Sequence, residues 1–307
     1  MKWLHHLNIM RKSRKHGSLF PQHHHQPNPA PNGSSEIPVY GGLLTNIFGY
    51  KRFRYEVEWF RHSEHHIDLP KWPQNVHILH LSDIHIRDFS DWLKKLATEI
   101  QGYTPDIVVI TGDIVTKNWT LEAVEFFLSQ LPKSKLGTFA ILGNWEYWVV
   151  KDHQYWRQLL SKYHVQLLVE EGCEVALPNA SLTIFGTDDH LAGTSQPNLW
   201  GPSLSPNQPS LVLTHSPAHF REIAKWSTDL VLAGHAHGGQ IQFPLLGPLW
   251  VPTGTDQWIA GWHQLQNSHL FVSRGLGWSV APIRWHCPPE IAHIWINSSQ
   301  SNSSRFQ

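Results

Sequence analysis

Residue types that bind divalent metal ions occur in five short motifs between positions 83 and 239 of the 307-residue chain. Carboxylate, amide and imidazole groups without a thiolate suit Mn, Fe or Zn better than Mg or Ca. The neighbouring glycines allow tight turns and leave room for ions and a phosphate. Each motif alone could be a turn or a buried histidine, so the prediction of a metal site depends on the ordered set. The motifs are Asp83-Ile84-His85, Gly112-Asp113, Gly143-Asn144, His215 and His235-Ala236-His237-Gly238-Gly239.

Short apolar segments rich in β-branched residues precede these motifs, as expected for strands that are buried on both faces. In α/β sheets the carboxyl ends of the strands meet at one crevice, so we expect the polar groups to converge there. Asp83 and His85, two positions apart, should point to the same side of an extended chain, and His235 and His237 should do the same. The segments are 76–81, 106–111, 138–142, 211–214 and 230–233, with a further one at 181–185.

Two amphipathic helices are predicted between the early strands. Apolar residues recur at helical spacing over 89–100 and over 120–131, and Thr120 can cap the second helix. After about residue 240, glycine and proline become frequent and the pattern changes to short strands, ending with 290–296. Strands joined by helices and followed by a β-rich C-terminal half predict a layered α/β domain.

The charges of the chain are balanced overall but unevenly distributed. Lys+Arg and Asp+Glu both total 24. A nucleic-acid-binding protein would carry a basic excess, so we expect no nucleic-acid partner. Residues 1–54 hold eight bases and one acid, a net +7, which leaves 16 bases and 23 acids, a net −7, for the rest. The two cysteines are too few for a disulfide scaffold or a cysteine-rich zinc module.

Both ends of the chain have the composition of tails. Residues 1–36 are rich in His, Pro and basic residues without apolar periodicity, which predicts a disordered tail, and residues 298–307 predict a polar tail. The amino-terminal segment lacks the apolar stretch of a secretory signal, which favours a cytoplasmic location. The apolar runs are also far shorter than the roughly 20 residues of a membrane helix.

The lead-in segment 37–75 combines apolar, aromatic and basic residues. The composition of its first part, up to Tyr55, can lie on an anionic membrane surface. Alternatively, this part packs on the domain and a β-hairpin begins at Lys51. Two alternatives therefore stay open. Either residues 1–55 contact the inner face of an anionic membrane, or the segment packs on the domain and forms a hairpin from Lys51 onward.

The order D-x-H, G-D, G-N, H and G-H-x-H-G-G-Q resembles the calcineurin-like metallophosphoesterase superfamily over about residues 75–296. Segments 186–189, 273–277 and 287–290 resemble a narrower bacterial group, the YkuE/YaeI-like phosphohydrolases. The resemblance implies a four-layer αββα sandwich over residues 76–297, with a centre of two metal ions at one edge.

The resemblance also implies a reaction, in which a metal-bound hydroxide attacks a phosphomonoester, phosphodiester or pyrophosphate bond. Two divalent ions can clamp a phosphate during such a displacement. Relatives that cleave a lipid-linked nucleotide sugar extend the expected substrates to lipid-linked or nucleotide-sugar compounds. The catalytic side chains, nearest the reacting phosphate, would be those of Asp113, Asn144 and His235. The implied ligands are Asp83, His85 and His237 for one ion and Asn144, His215 and His235 for the other, with Asp113 bridging both.

One position departs from the family pattern. The family usually has histidine after the asparagine of G-N, whereas this chain has Trp145, whose indole is only a neutral donor. Acid assistance accelerates reactions about 10²–10⁴-fold. Two interpretations stay open: a phosphoesterase that is slow on poor leaving groups, or a catalytically weak metal- or phosphate-binding scaffold. His190 could take over the role of the missing histidine, or it could be an ordinary loop residue. Glu146 stands where the family has an acidic residue that orients that histidine.

Overall fold

The computed structural model describes residues 56–279 and 281–298. Two six-stranded sheets form its centre. The first sheet consists, in spatial order, of β1 (Arg61–Asp68), β14 (Glu290–Asn297), β2 (Val76–Leu81), β3 (Ile107–Thr111), β4 (Gly137–Ile141) and β5 (Val165–Leu167). The second consists of β12 (Gly261–Leu265), β13 (Ser268–Val272), β9 (Leu230–Ala233), β8 (Ser210–Leu213), β7 (Ala180–Gly186) and β6 (Glu171–Leu177).

The strands that precede the metal-ligand motifs are parallel neighbours. In the first sheet β2, β3 and β4 run in parallel, and in the second sheet β8 and β9 do. Their carboxyl ends therefore lie at one edge of each sheet. A short antiparallel hairpin, formed by β10 (Gln242–Phe243) and β11 (Gly247–Pro248), follows β9 in the chain.

Helices connect the strands of both sheets. Ser90 accepts a hydrogen bond from the N–H of Leu93, so the first helix begins at Asp91 and not at residue 89. Thr120 caps the second helix as predicted, accepting from the N–H of Ala123 at 3.3 Å. The helices are α1 (Asp91–Gln101), α2 (Leu121–Ser129), α3 (Asn144–Val149), α4 (His153–Ser161), α5 (Pro197–Trp200) and α6 (Phe220–Ile223), with 3₁₀ turns at Gly201–Ser203, Pro217–His219, Ala224–Trp226 and His237–Gly239.

Alternate residues of each central strand pack into different layers of the core. Ile78 of β2 packs between the two sheets with Leu232 of β9, whereas the next residue, Leu79, faces α1 and α2. On the far side, Val231 of β9 packs against Phe220 of α6. Burial on both faces explains the continuous apolar segments, and the helix–sheet–sheet–helix order confirms the predicted four-layer αββα sandwich.

The predicted hairpin in the lead-in 37–75 is wrong for the part that the structure describes. Residues 56–75 contribute a single strand, β1, which pairs in parallel with β14 and so joins the first sheet. Because β14 already occupies the edge of β2 in antiparallel register, β1 can pair only with the outer edge of β14. This edge position also explains its polar sequence, RHSEHHID, which alternates between exposed and half-buried residues.

The predicted tail 1–36, the basic-aromatic part 37–55 and residues 299–307 lie outside the described residues. Ser298, at the start of the predicted polar tail, is buried and donates its N–H to Asn75 Oδ1 at 2.8 Å. Within the described ranges, no helix is both long enough and apolar enough to cross a membrane.

Candidate metal centre

The loops that follow five parallel strands bring the metal-ligand motifs together. Asp83 and His85 follow β2, Asp113 follows β3, and Asn144 opens α3 after β4. From the second sheet, His215 follows β8, and His235 and His237 follow β9. All seven side chains are buried, at the edge where the carboxyl ends of the two sheets face each other.

Six of these side chains form two triads, and the ligand atoms within each triad lie within 4.8 Å of one another. In the first triad, His237 Nε2 lies 3.0 Å from His85 Nε2 and 3.4 Å from Asp83 Oδ1. The second triad consists of Asp113, His215 and His235. Each triad could hold one metal ion.

Asp113 connects the two triads through a single oxygen. Its Oδ2 lies 3.6 Å from His85 Nε2 in the first triad and 3.4 Å from His215 Nε2 in the second. The backbone N–H of Trp145 donates to its other oxygen, Oδ1, at 2.9 Å. A carboxylate with one oxygen between two clusters of imidazoles is suited to bridging two cations.

Hydrogen bonds to backbone carbonyls orient the imidazoles of the second triad. His215 Nδ1 lies 2.7 Å from Thr111 O, and His235 Nε2 lies 2.7 Å from Thr253 O. Because a carbonyl can only accept, each ring carries its proton on that nitrogen. The opposite nitrogens, which lie 3.2 Å apart, are the ones that can face a cation: His235 offers a lone pair there, and His215 would offer one once a cation displaces its second proton.

Asn144 supplies the clearest sign that this site is built for an ion. Its Oδ1 is buried and accepts no hydrogen bond from the residues that the structure describes. A buried acceptor without a partner costs free energy, which a metal ion would offset. Its chain neighbours also lie against Asp113: Trp145 donates to this carboxylate, and a side chain at Gly143 would collide with it.

Burial sets the charge state of three of the histidines. It lowers the pKa of His85 to about 3 and that of His235 to about 4, and it lowers the pKa of His237 well below its usual value. These imidazoles are therefore neutral at neutral pH, the state in which they can bind a metal. Burial also lowers the pKa of His215, but the carboxylate of Asp113 outweighs it and raises this pKa well above the usual value.

Buried carboxyl groups crowd the same edge. Burial raises the pKa of Asp83 and of Asp189 to about 6, and burial together with the charge of Asp113 raises that of Glu146 to about 8. Carboxyl groups packed this closely repel one another in their charged form. Two divalent cations would supply the compensating charge, so the electrostatics of these residues fit the metal centre.

The backbone at the ligands differs from our prediction of an extended chain. Asp83 and His85 have φ values of 51° and 52°, and His235 and His237 have φ values of 66° and 51°. Asp113 has a φ of 52°. These residues share triads because left-handed turns fold the loops back, and not because alternate side chains of a strand point the same way. Such strain persists where the surroundings enforce it, typically at functional sites.

Glu146 has a different role from the one its sequence position suggested. The oxygens of its carboxyl group accept hydrogen bonds from the N–H groups of Asp113 at 2.9 Å, Gly143 at 2.8 Å and Val115 at 3.1 Å. At the third position of α3, the side chain turns back to the start of its own helix. It therefore fixes the loops that carry Asp113 and Asn144 and does not orient residue 145.

Trp145 and His190 lie beside the two triads. The half-buried indole of Trp145 meets the ring of His85 edge to face at 5.8 Å and that of Trp148 at 5.1 Å. The ring of the exposed His190 contacts that of His219, with the ring centres 4.2 Å apart and the planes tilted by 54°. It also lowers the pKa of His235, after the larger effects of burial and of His215. A role for His190 in acid assistance stays a prediction.

Sequence reasoning missed two arginines beside the first triad. Arg284 is fully buried and donates to the carbonyl oxygens of Gly277, Cys287 and Arg274, which holds this loop against His237. Arg87 donates to the carbonyl of His85 and to that of Trp278. Neither arginine belongs to a ligand motif, and spacing alone cannot indicate that a cation will be buried.

A cleft of about 720 Å³ adjoins the first triad at His85. Apolar or aromatic residues and polar or charged residues line it in equal numbers, and Arg87 stacks on the ring of Trp278 at 4.6 Å within it. The residues that line it include exposed acids such as Glu58 and Asp91. The cleft is wide enough for an organic group attached to a phosphate bound at the metal centre.

Comparison with known proteins assigns this geometry to a family. A family model described as calcineurin-like phosphoesterase matches residues 76–239. The chain is 31% identical to phosphodiesterase YaeI of Escherichia coli over 80% of its own length and 92% of the relative. It is 27% identical to the metallophosphoesterase YkuE of Bacillus subtilis over 84% of its own length and 93% of the relative.

Among solved structures, the phosphopantetheinyl hydrolase PptH of Mycobacterium tuberculosis aligns over 65% of this chain and 89% of that protein, with a TM-score of 0.42 and 11% identity. The matched residues 76–239 include all five metal-ligand motifs and both triads. The chain therefore belongs to the calcineurin-like phosphoesterase family, the metal-dependent phosphoesterases that use a centre of two divalent ions.

Proposed function

We propose that this phosphoesterase hydrolyses phosphodiesters, including lipid-linked ones, at the paired triads. The observation that supports this most directly is Asp113 Oδ2, which lies within 3.6 Å of His85 in one triad and of His215 in the other. The similarity to a relative named phosphodiesterase favours a diester over a monoester or pyrophosphate. The cleft beside His85 would take the organic group of such a substrate.

In this proposal Asp83, His85 and His237 hold one ion, and His215, His235 and Asn144 hold the other, with Asp113 between them. When bound, the two ions would activate water and neutralise the charge of the phosphate. The mixed oxygen and nitrogen donors favour Mn, Fe or Zn. Glu146 and Arg284 keep the ligand loops in place by binding backbone groups.

A second candidate function is a metal- or phosphate-binding scaffold with weak catalysis. Trp145 favours it, because the indole that lies against His85 has neither a transferable proton at neutral pH nor a positive charge. The two candidates predict different results with an activated substrate, for which the leaving group needs no proton.

Purified protein loaded with Mn²⁺ should hydrolyse a nitrophenyl phosphodiester, and a chelator should stop the reaction. The physical reason is that the ligand set provides no side-chain nucleophile that could act without the ions. Nitrophenolate release with and without chelator measures this effect, and re-addition of Mn²⁺ is the control. Metal binding by elemental analysis without any release of nitrophenolate would favour the scaffold.

We further propose that residues 1–55 contact an anionic membrane, because residues 1–54 carry a net charge of +7. Deleting residues 1–54 should remove salt-sensitive binding to anionic vesicles, since each basic residue near such a surface contributes ~1 kcal/mol. Hydrolysis of a soluble diester should remain, because β1 begins at Arg61. Sedimentation at low and high salt measures the loss. Equal salt-sensitive binding by the truncated and full-length chains would contradict the proposal.

A further inference from the structure

Exposed apolar side chains concentrate in the hairpin segment 242–250, which comprises β10, β11 and the two residues after them and follows His235 and His237 in the chain. Leu245 is 105% exposed, Leu246 85%, Leu249 66% and Trp250 40%. They account for four of the eight large apolar side chains that are exposed in the described residues, and they lie within six consecutive positions. Scattered exposed leucines are ordinary, but a cluster of this kind marks an interaction surface.

The hairpin and the residues on either side of it have no charged side chains. The 18 residues from 238 to 255 include no Asp, Glu, Lys, Arg or His. They contain only two glutamines with long polar side chains, and both point back to the domain: Gln240 donates to the carbonyl of Ile283 and Gln242 to that of Gly238. The tip therefore offers apolar side chains without polar groups that would need water.

Several backbone N–H groups of the hairpin are absent or paired, which lowers the cost of an apolar medium. Pro244 and Pro248 have no N–H group to satisfy. The N–H of Leu246 donates to Phe243 O at 3.2 Å, and that of Leu249 donates to Ile241 O at 3.0 Å. Unpaired backbone donors are costly in hydrocarbon, and these donors are paired within the hairpin.

Both ends of the hairpin are tied to the metal centre. It begins five residues after His237, and Thr253, three residues beyond it, accepts the hydrogen bond from His235 Nε2 at 2.7 Å. Its base is held by Trp285, which accepts from the N–H of Gln242 and packs edge to face against Phe243. The hairpin is therefore connected to the metal centre through its base, whereas its exposed tip lies apart from the ligands.

We propose that this hairpin inserts into the surface of a lipid bilayer, with Leu245 and Leu246 among the acyl chains and Trp250 at the level of the headgroups. Tryptophan is the side chain that membrane interfaces favour, and an uncharged apolar tip suits the layer beneath. A protein partner would ordinarily bind through a mixed surface with polar groups at its rim. If the metal centre hydrolyses phosphodiesters as proposed above, insertion of the hairpin would bring that centre beside the phosphates of a lipid substrate.

Membrane contact through residues 1–55 would depend on charge, whereas insertion of the hairpin would not. Insertion of leucines needs no anionic lipid and persists at about 0.5 M salt, where charge attraction is screened beyond a few ångströms. Sedimentation of the full chain with vesicles of pure phosphatidylcholine at this salt concentration therefore isolates the hairpin.

The Leu245→Ser/Leu246→Ser double variant should bind these vesicles at least tenfold more weakly than the unchanged chain, because it loses two inserted apolar side chains. Leu199→Ser is the matched control: this leucine of α5 is 74% exposed and lies outside the hairpin, and it should bind like the unchanged chain. Hydrolysis of a soluble nitrophenyl diester should be the same in all three proteins, which shows that the double variant is folded.

Equal vesicle binding by the double variant and the unchanged chain would overturn the inference. So would gel filtration showing that the unchanged chain is a dimer that the double substitution dissociates, because the hairpin would then cover a second copy. Hydrolysis of the soluble diester without vesicle binding would refute the membrane contact alone. Leucine-dependent vesicle binding without any hydrolysis would support the inference and count against the proposed function.

Discussion

Replacing Asp113 with alanine should abolish hydrolysis of an activated phosphodiester and lower the bound metal from two ions per chain to one or none. The reason is geometric: Asp113 Oδ2 is the one atom of this carboxylate that lies close to both triads, at 3.6 Å from His85 and 3.4 Å from His215. Its loss also leaves His215 without the carboxylate that raises its pKa. Elemental analysis and nitrophenolate release measure the two effects.

The matched control for this prediction is Asp68→Ala. Asp68 is the last residue of β1 and pairs in register with Asn297, next to the first residue of β2. The metal ligands follow the last residue of β2, so Asp68 lies at the other end of the strands. Asp68→Ala should keep both the metal and the activity. If Asp113→Ala retains two ions per chain, the bridging assignment is wrong, whatever happens to the rate.

Replacing Trp145 with histidine should raise the rate on an alkyl phosphodiester more than the rate on a nitrophenyl phosphodiester. An alkyl leaving group needs a proton and nitrophenolate does not, so an imidazole should help only the first, within the ~10²–10⁴-fold range of acid catalysis. Because Glu146 is engaged with the N–H groups of Asp113 and Gly143, the new imidazole would have to be oriented by its contact with His85. We therefore expect a gain in the lower part of that range.

Trp148→His is the control, because it makes the same change in the same helix on the far side of the Trp145 ring. It should leave the ratio of the two rates unchanged. Metal content and melting temperature should be measured alongside, since an imidazole fills less space than an indole. If the unchanged protein cleaves both diesters equally well and Trp145→His lowers both rates, Trp145 is itself part of a working substrate site.

The fold could be predicted from sequence where burial on two faces left a continuous apolar signal. Strands such as β3, IVVIT, are buried at every position, so their composition alone identified them. The edge strand β1 needs few apolar residues and had no such signal. The ligand residues were found for a related reason: they stand where buried strands end, at the open edge of parallel sheets.

Features that depend on three-dimensional contacts could not be predicted in this way. The turn of Glu146 back to the start of α3 depends on free N–H groups in a loop about 30 residues earlier in the chain. Burial of Arg284 depends on carbonyl groups that converge from one loop. The left-handed backbone of the ligand loops required coordinates, because no single residue type other than glycine demands it.

That left-handed backbone limits how the ligand positions can change during evolution. Aspartate, asparagine and histidine are the residues other than glycine that best tolerate positive φ, and each carries an oxygen or nitrogen donor. Their codons differ only at the first base, so one nucleotide change converts any of them into another. Asp83, His85, Asp113, His235 and His237 can therefore exchange donor atoms by single mutations that preserve the turns. The genetic code thus lets metal preference drift in this fold while the loops keep their shape.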